Sequence, residues 1–308
     1  MFMKYCGCAL LILMALSSFS CRQEPVKAFQ TLPFFTDVKG IQFTEVRRAF
    51  DNGLSFDTTG FQLEPAWRMN FLSDDTVRLY NPLEDRSYNF HVHYDHDSVI
   101  NMARVWLRVK KVTKDSLKFQ LLQVEGRNIS GERSNIFMTF YADSYIKNRL
   151  HTTADELRKP NRKDSLYVHK KINQAVNSPK AAFAARKPVE LSPKSPTIKV
   201  EKEEVEVNFL SGQGLSDEYL SPEFNIVINP AYKDFKYSFT VTVDPERRMH
   251  FGKSTVYVMP EFEETYNRVM KGIMDVYLQN LLEIRPGTTL GMAHPSVITV
   301  NVKGISKK

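Results

Sequence analysis

From residue 40 to residue 150, apolar and polar side chains alternate in one short run after another. Trp67, Met69 and Phe71 are separated by Arg68 and Asn70, and Tyr88, Phe90, Val92 and Tyr94 by Asn89, His91 and His93. Val105, Leu107 and Val109, then Leu117, Phe119 and Leu121, then Ile136, Met138 and Phe140 repeat the pattern. A period of two puts every second side chain on one face, as in an antiparallel strand with one side in a core and the other in water. Turn-forming residues separate the runs at Ser73-Asp74-Asp75, Asn81-Pro82, Asp95-His96-Asp97, Lys114-Asp115 and Ser130-Gly131. The pattern predicts an all-β antiparallel barrel or sandwich over 40–150, capped by a short helix from Ala142 to Leu150.

A second patterned region spans 208–308. Tyr237, Phe239, Val241 and Val243 alternate along a strand, Asp244-Pro245-Glu246-Arg247 turns it, and Met249 to Val258 returns. Phe262, Tyr266, Val269, Met270, Ile273, Tyr277 and Leu281 then fall on one face of a helix beginning near Glu261. Glu261, Glu263 and Glu264 sit in its first turn, where the helix dipole favours negative charge. Pro286-Gly287 and Gly291 break the chain before a last strand from Val297 to Val302. The prediction is a small α+β module of order β-β-α-β. With about three strands, such a sheet leaves edges unpaired. The segment Val297, Ile298, Thr299, Val300, Asn301 and Val302 is the expected edge for an extended partner. The competing arrangement has Glu223 to Asn229 of the same chain covering it.

Between the two regions, 151–207 carries Pro160, Pro179, Pro188, Pro193 and Pro196 interspersed with lysine. One short helix is expected from Asp164 to Val176, with the rest a semi-rigid spacer able to reach on the order of 150 Å if fully extended. Charge is concentrated here. Arg158 to Lys199 holds eleven Lys and Arg against Asp164 and Glu190, a net of +9. The whole chain is only +7, so the remainder is slightly acidic and nucleic acid is not the expected partner. Anionic lipid head groups or cell-wall polymer fit the basic segment better. At 42% hydrophobic and 25% charged residues, the composition is that of a folded chain rather than a disordered one.

The N-terminus adds an address. Lys4, an apolar run from Ala9 to Leu16 and the small-residue exit Ser17-Ser18-Phe19-Ser20 form the order of a secretory signal peptide over residues 1–20. Of three cysteines, Cys6 and Cys8 lie inside that segment, so the mature chain keeps Cys21 alone, with no partner for a disulfide. The ending Ser-Phe-Ser-Cys resembles a bacterial lipobox. That resemblance implies acylation of Cys21 as the new N-terminus, anchoring in the cell envelope at the outer membrane, and a short tether over 21–39.

Four further resemblances bear on function. Phe239-Thr240-Val241-Thr242-Val243-Asp244, Arg285-Pro286, Gly291 and Val297-Ile298-Thr299-Val300, within Tyr237 to Lys303, are similar to the C-terminal domain of TonB-like proteins. Arg247-Arg248 stands where that family has glycine in the turn. The resemblance implies a protein- or peptide-binding role without catalysis, here on a lipid anchor rather than a membrane-spanning helix. The strand layout of 40–150 resembles lipocalin-like barrels, which would imply a small apolar ligand inside. His91-Val92-His93-Tyr94-Asp95-His96 resembles the zinc string H-x-H-x-D-H of the metallo-β-lactamase fold, which would make His91, His93, Asp95 and His96 ligands of a hydrolytic centre. The strand alternation instead puts His91, His93 and Asp95 on an outer face, so neither catalysis nor metal is the expectation, and no motif calls for a cofactor. Finally, the triplets at Asp57-Thr58-Thr59, Asp75-Thr76-Val77, Asp97-Ser98-Val99, Asp115-Ser116-Leu117 and Asp164-Ser165-Leu166 resemble O-glycosylation acceptors of some Gram-negative envelope proteins. Aspartate at turns explains three of them equally well.

Overall fold

The computed structural model describes residues 35–126, 128–205 and 216–307. Cys21, the signal segment and most of the tether lie outside the described residues. The alternating runs become ten strands of one antiparallel sheet. They are β1 (Phe43–Phe50), β2 (Arg68–Ser73), β3 (Thr76–Asn81), β4 (Arg86–His91), β5 (His93–Tyr94), β6 (Val99–Met102), β7 (Val105–Val112), β8 (Ser116–Glu125), β9 (Asn128–Ser130) and β10 (Ile136–Ala142). Their order is β4-β3-β2-β1-β10-β8-β7-β6-β5, with β9 beside β8. The two ends of that path, β4 and β5, are separated only by Val92, whose N–H donates to the Asp75 carbonyl (2.7 Å). One stretch of chain therefore nearly closes the sheet on itself, and the result is barrel-like.

The inward face is filled with side chains. Phe71, Phe119, Phe140, Met69, Leu107 and Leu117 are fully buried. Phe35 stacks on Phe71 with ring centroids 3.8 Å apart, and Phe119 meets Phe140 edge-on at 5.7 Å. Burying each such side chain contributes about 1.5–3 kcal/mol. A bulge interrupts β1 at Glu45, and there the buried Glu45 carboxylate collects four donors. Arg48 grips it through two nitrogens at 2.7 Å, and the N–H groups of Ala66 and Trp67 reach it at 2.9 and 3.0 Å. Those donors satisfy a charge that would otherwise be costly to bury.

The middle segment corrects the expectation of an extended spacer. Helix α1 (Asp143–Asn148) caps β10 as predicted, and then α2 (Ala154–Arg158) and α3 (Arg162–Asn177) fold back along β1. Asn161 and Asp164 form a reciprocal capping box at the start of α3. The same Asp164 is wholly buried, accepts Arg47 Nη1 at 2.7 Å and accepts the Ser55 N–H at 2.7 Å. Further on, the Ala184 N–H donates to the Thr59 carbonyl (2.9 Å), and a Cβ at Gly60 would sit 2.3 Å from the Ala184 oxygen. Glycine is required there for the two backbones to touch. Contacts made across more than a hundred residues hold this segment, and composition does not reveal them.

Beyond it, β11 (Glu190–Pro193), β12 (Ile198–Lys202), the short helix α4 (Asp217–Leu220), β13 (Glu223–Ala231), β14 (Phe235–Val243) and β15 (Met249–Ser254) lead to helix α5 (Pro260–Ile273). That helix continues through a π-turn at Met274–Leu278 to Leu281. Strands β16 (Leu282–Arg285), β17 (Thr288–Thr289), β18 (Met292–Ala293) and β19 (Ser296–Ser306) follow. The predicted order of strand, strand, helix, strand is present in β14, β15, α5 and β19. The sheet has five strands rather than three, in the order β12-β13-β19-β14-β15. Ile298, Val300 and Val302 pack with Phe239, Val241, Met270, Ile273 and Leu278 in a second core.

The described residues all belong to one compact unit, so the two sheets are parts of one body. At their seam Arg186 pairs with Glu64 (2.6 Å) and lies over the Tyr219 ring, whose hydroxyl accepts the Gln62 N–H (2.9 Å). Lys187 and Thr288 exchange two backbone hydrogen bonds. His294 is fully buried there, stacked on Phe183 at 3.9 Å. Its Nδ1 lies 3.1 Å from the Pro295 carbonyl and its Nε2 lies 2.9 Å from Thr289 Oγ1. Only a donor can face a carbonyl, so Nδ1 carries the proton and Nε2 accepts. Burial pushes its pKa below the ordinary 6.5.

Candidate functional site

The predicted partner edge, Val297 to Val302, is the first site correction. Strand β19 lies inside the sheet, with β13 parallel on one side and β14 antiparallel on the other. Phe224, Ile226 and Ile228 of β13 are buried in the same core, which is why Glu223 to Asn229 takes that position. The face alternation of β19 follows the sequence, with Ile298, Val300 and Val302 buried and Val297 exposed. From Thr299 to Val302 its backbone is paired on both sides.

The histidine string stays on the barrel surface. Val92 is buried while His91, His93, Asp95 and His96 are exposed. The His91 and His93 rings meet edge-on at 4.4 Å, and Asp95 turns to His96 (3.2 Å). Among the described residues no three His, Cys, Asp or Glu side chains converge on a common point. The string therefore does not fit the metal centre it resembles. Of the Asp-Ser/Thr triplets, Asp57 closes a turn by accepting the Thr59 and Phe61 N–H groups, while Ser116 and Asp164 are buried.

The largest break between expectation and structure lies on α5. Its apolar positions share one face, but only part of that face is covered. The second half is, with Met270, Ile273, Met274 and Leu278 buried. The first half is not: Phe262 is 54% and Tyr266 44% exposed. Preceding them, Val256, Tyr257 and Met259 are 62%, 85% and 55% exposed. Together with Tyr237, Ser238 and Met270 they line a groove of about 310 Å³. Adjacent exposed apolar side chains of this kind make the groove a candidate interaction surface.

The groove follows from where the chain turns. Strand β15 pairs with β14 only from Met249 to Ser254, ending opposite Phe239, whereas β14 extends back to Phe235. After Ser254 the chain leaves the sheet. Ser254 Oγ donates to the Val256 carbonyl (2.7 Å), and the Thr255 N–H donates to the Ser238 carbonyl (3.1 Å). Pro260 then starts α5 at the position where a missing N–H costs least. Tyr237 meets Tyr266 edge-on at 5.9 Å across the groove floor.

At its other end the hairpin is fixed firmly. Burial pushes the Asp244 carboxyl up, but hydrogen bonds from His250 and the Arg248 N–H outweigh it and hold its pKa below the usual carboxylate value. Arg247 takes a φ of +68°, supplying the left-handed residue for which the turn has no glycine. Gln279 accepts the Met249 N–H (2.8 Å) and donates to the Arg247 carbonyl (3.1 Å), tying the turn to the end of α5.

Among the described residues the groove offers aromatic and thioether surface, hydroxyls and a lysine at the rim. A larger cleft of about 430 Å³ lies beside Arg186 to Leu191, but Lys202 and Glu218 on its wall satisfy each other at 2.9 Å. On the barrel exterior, a polar hollow of about 180 Å³ lies between Arg68, Asn70 and Arg78. Sequence reasoning missed the groove. The available signal was the apolar run Val256-Tyr257-Val258-Met259, which continues past the end of a strand that could pair.

No protein-family model matches the chain, and a search of curated proteins finds no match either.

Proposed function

We propose that this chain is a lipid-anchored, non-enzymatic protein of the bacterial cell envelope, held at the outer membrane through Cys21. In this reading it acts by binding a protein or peptide through its C-terminal layer. The observation that carries the binding role is the exposed aromatic groove of Tyr257, Phe262 and Tyr266. The anchor rests on the signal pattern and the lone mature cysteine. Among the described residues no helix is long and apolar enough to cross a membrane.

We read the β-β-α-β order as TonB-like in layout, with a lipid in place of the spanning helix, so a passive docking role fits better than energy transduction. A lipocalin-type ligand is less favoured, because Phe71, Phe119 and Phe140 fill the barrel interior. Basic residues of α3, among them Arg162, Lys163 and Lys170, are exposed and suit anionic lipid or cell-wall polymer.

A photo-cross-linking residue placed at position 257 in the native envelope tests the reading. It should give a discrete adduct that a Phe262→Asp change removes, whereas position 83, exposed on the barrel, should give none. Equal labelling from both positions would overturn the proposal.

A further inference from the structure

We infer that the groove takes an extended peptide segment as an added β-strand, lying beside β14 in line with β15. This rests on the reading of the groove as the docking face and names its occupant. The backbone of β14 leaves one residue open on this side. The Asp244 N–H donates to the Arg248 carbonyl (3.0 Å), and the Ser238 carbonyl accepts the Thr255 N–H (3.1 Å). Successive residues of a strand turn their backbone groups to opposite sides. Even-numbered residues of β14 therefore face the β15 side, and odd-numbered ones face β19. Lys236 is even-numbered and lies beyond Phe239, where β15 has stopped pairing. Its N–H and C=O point along the groove floor, and no described turn or loop group bonds to them.

A strand set against Phe235 to Tyr237 would continue that ladder beyond the Thr255–Ser238 bond. Its side chains would then alternate between two environments. Those on the face shared by Tyr237 and Phe239 would enter the groove against Tyr266 and Met270, with Phe262 and Tyr257 closing over them. Those on the opposite face would lie next to the exposed Lys236, where an opposite charge across the strands adds about 0.2–1 kcal/mol. The partner is therefore an extended segment with apolar residues at every second position and acidic or polar residues between. A helix, about 10–12 Å across with its side chains, would fill the apolar space but leave the Lys236 backbone without partners.

The unlipidated Cys21→Ala protein can be panned against a displayed library of random dodecapeptides, and the enriched peptides synthesised. They should show apolar residues with a period of two, and should bind the Tyr257→Ser/Phe262→Ser variant much less tightly. N-methylation at alternate positions of one parity should weaken them about tenfold or more, as expected for losing one or two backbone hydrogen bonds, while the other parity is tolerated. Lys236→Pro should weaken binding to a similar extent with an unchanged melting temperature, because the N–H it deletes faces the groove and not β19. Peptides that depend on Tyr257 and Phe262 but tolerate N-methylation at both parities would remove the added strand and leave the groove as a docking face. Peptides indifferent to those two residues, or no enrichment at all, would remove both.

Discussion

The barrel and the C-terminal layer use strands of the same alternation but finish their edges differently. In the barrel, β4 and β5 are consecutive pieces of one stretch, so both ends of the strand path meet and no long edge remains. Its buried strand residues share a common interior. In the C-terminal sheet β12 and β15 stay as edges. Strand β12 carries Lys199, Glu201 and Lys202, charges that discourage another strand from pairing. Strand β15 ends early instead, and half of a helix face is left in water beside it. Closure gives the barrel a core that serves stability. Incomplete coverage gives the C-terminal layer a surface that stability alone would not keep. Substitutions in the two regions should therefore separate stability from binding.

The largest effect is expected in the barrel. Phe119→Ala should cost about 3–5 kcal/mol, the usual penalty for an emptied aromatic site in a packed core, measured by urea unfolding. A loss below 1 kcal/mol would mean that the interior is not filled as described. Asp164→Ala comes next, at about 3 kcal/mol, because it strands Arg47 and frees the Ser55 N–H and the α3 cap together. Because the described residues form one unit, both sheets should melt in a single, lowered transition. Two separated transitions would divide the barrel from the C-terminal layer after all.

A smaller effect should appear with pH at the seam. His294 is held neutral by burial, with its folded pKa below the ordinary 6.5. Above pH 6.5 it is neutral whether folded or unfolded. As pH falls below 6.5 the unfolded chain takes up the proton first, so stability is lost between 6.5 and the folded value. Unfolding midpoints between pH 8 and pH 5 should fall more steeply for the native protein than for His294→Phe. Parallel curves would show that the imidazole takes up its proton equally in the folded and unfolded chain.

Smallest of all, Tyr257→Ser should change stability by less than about 0.5 kcal/mol, as exposed substitutions usually do, while weakening binding at the groove. If it destabilised the fold by 2 kcal/mol, the side chain would be part of the core and the contrast between the two regions would collapse.

Much of this was legible beforehand, for a physical reason. Alternation at Met69, Phe71, Leu107, Phe119 and Phe140 reports which face of a strand is dry, and each such run carries that information within itself. The same holds for α3, whose capping box is local, and for α5, whose apolar spacing is local. What could not be read are pairings between distant segments. Asp164 reads as one acid in a basic stretch until Arg47 and Ser55, more than a hundred residues earlier, reach it. Val297 to Val302 shows the right alternation for a strand at an edge or inside a sheet, because side-chain period says nothing about how many neighbours a backbone has. Its place at the centre was settled when Phe224, Ile226 and Ile228 were buried on the same core. The apolar half-face at Phe262 and Tyr266 was likewise visible as sequence, but only the early end of β15 left it open to water. The chain's own residues determined the elements and their dry faces; the tertiary structure decided strand order, edges and exposure, because those depend on contacts that no local pattern encodes.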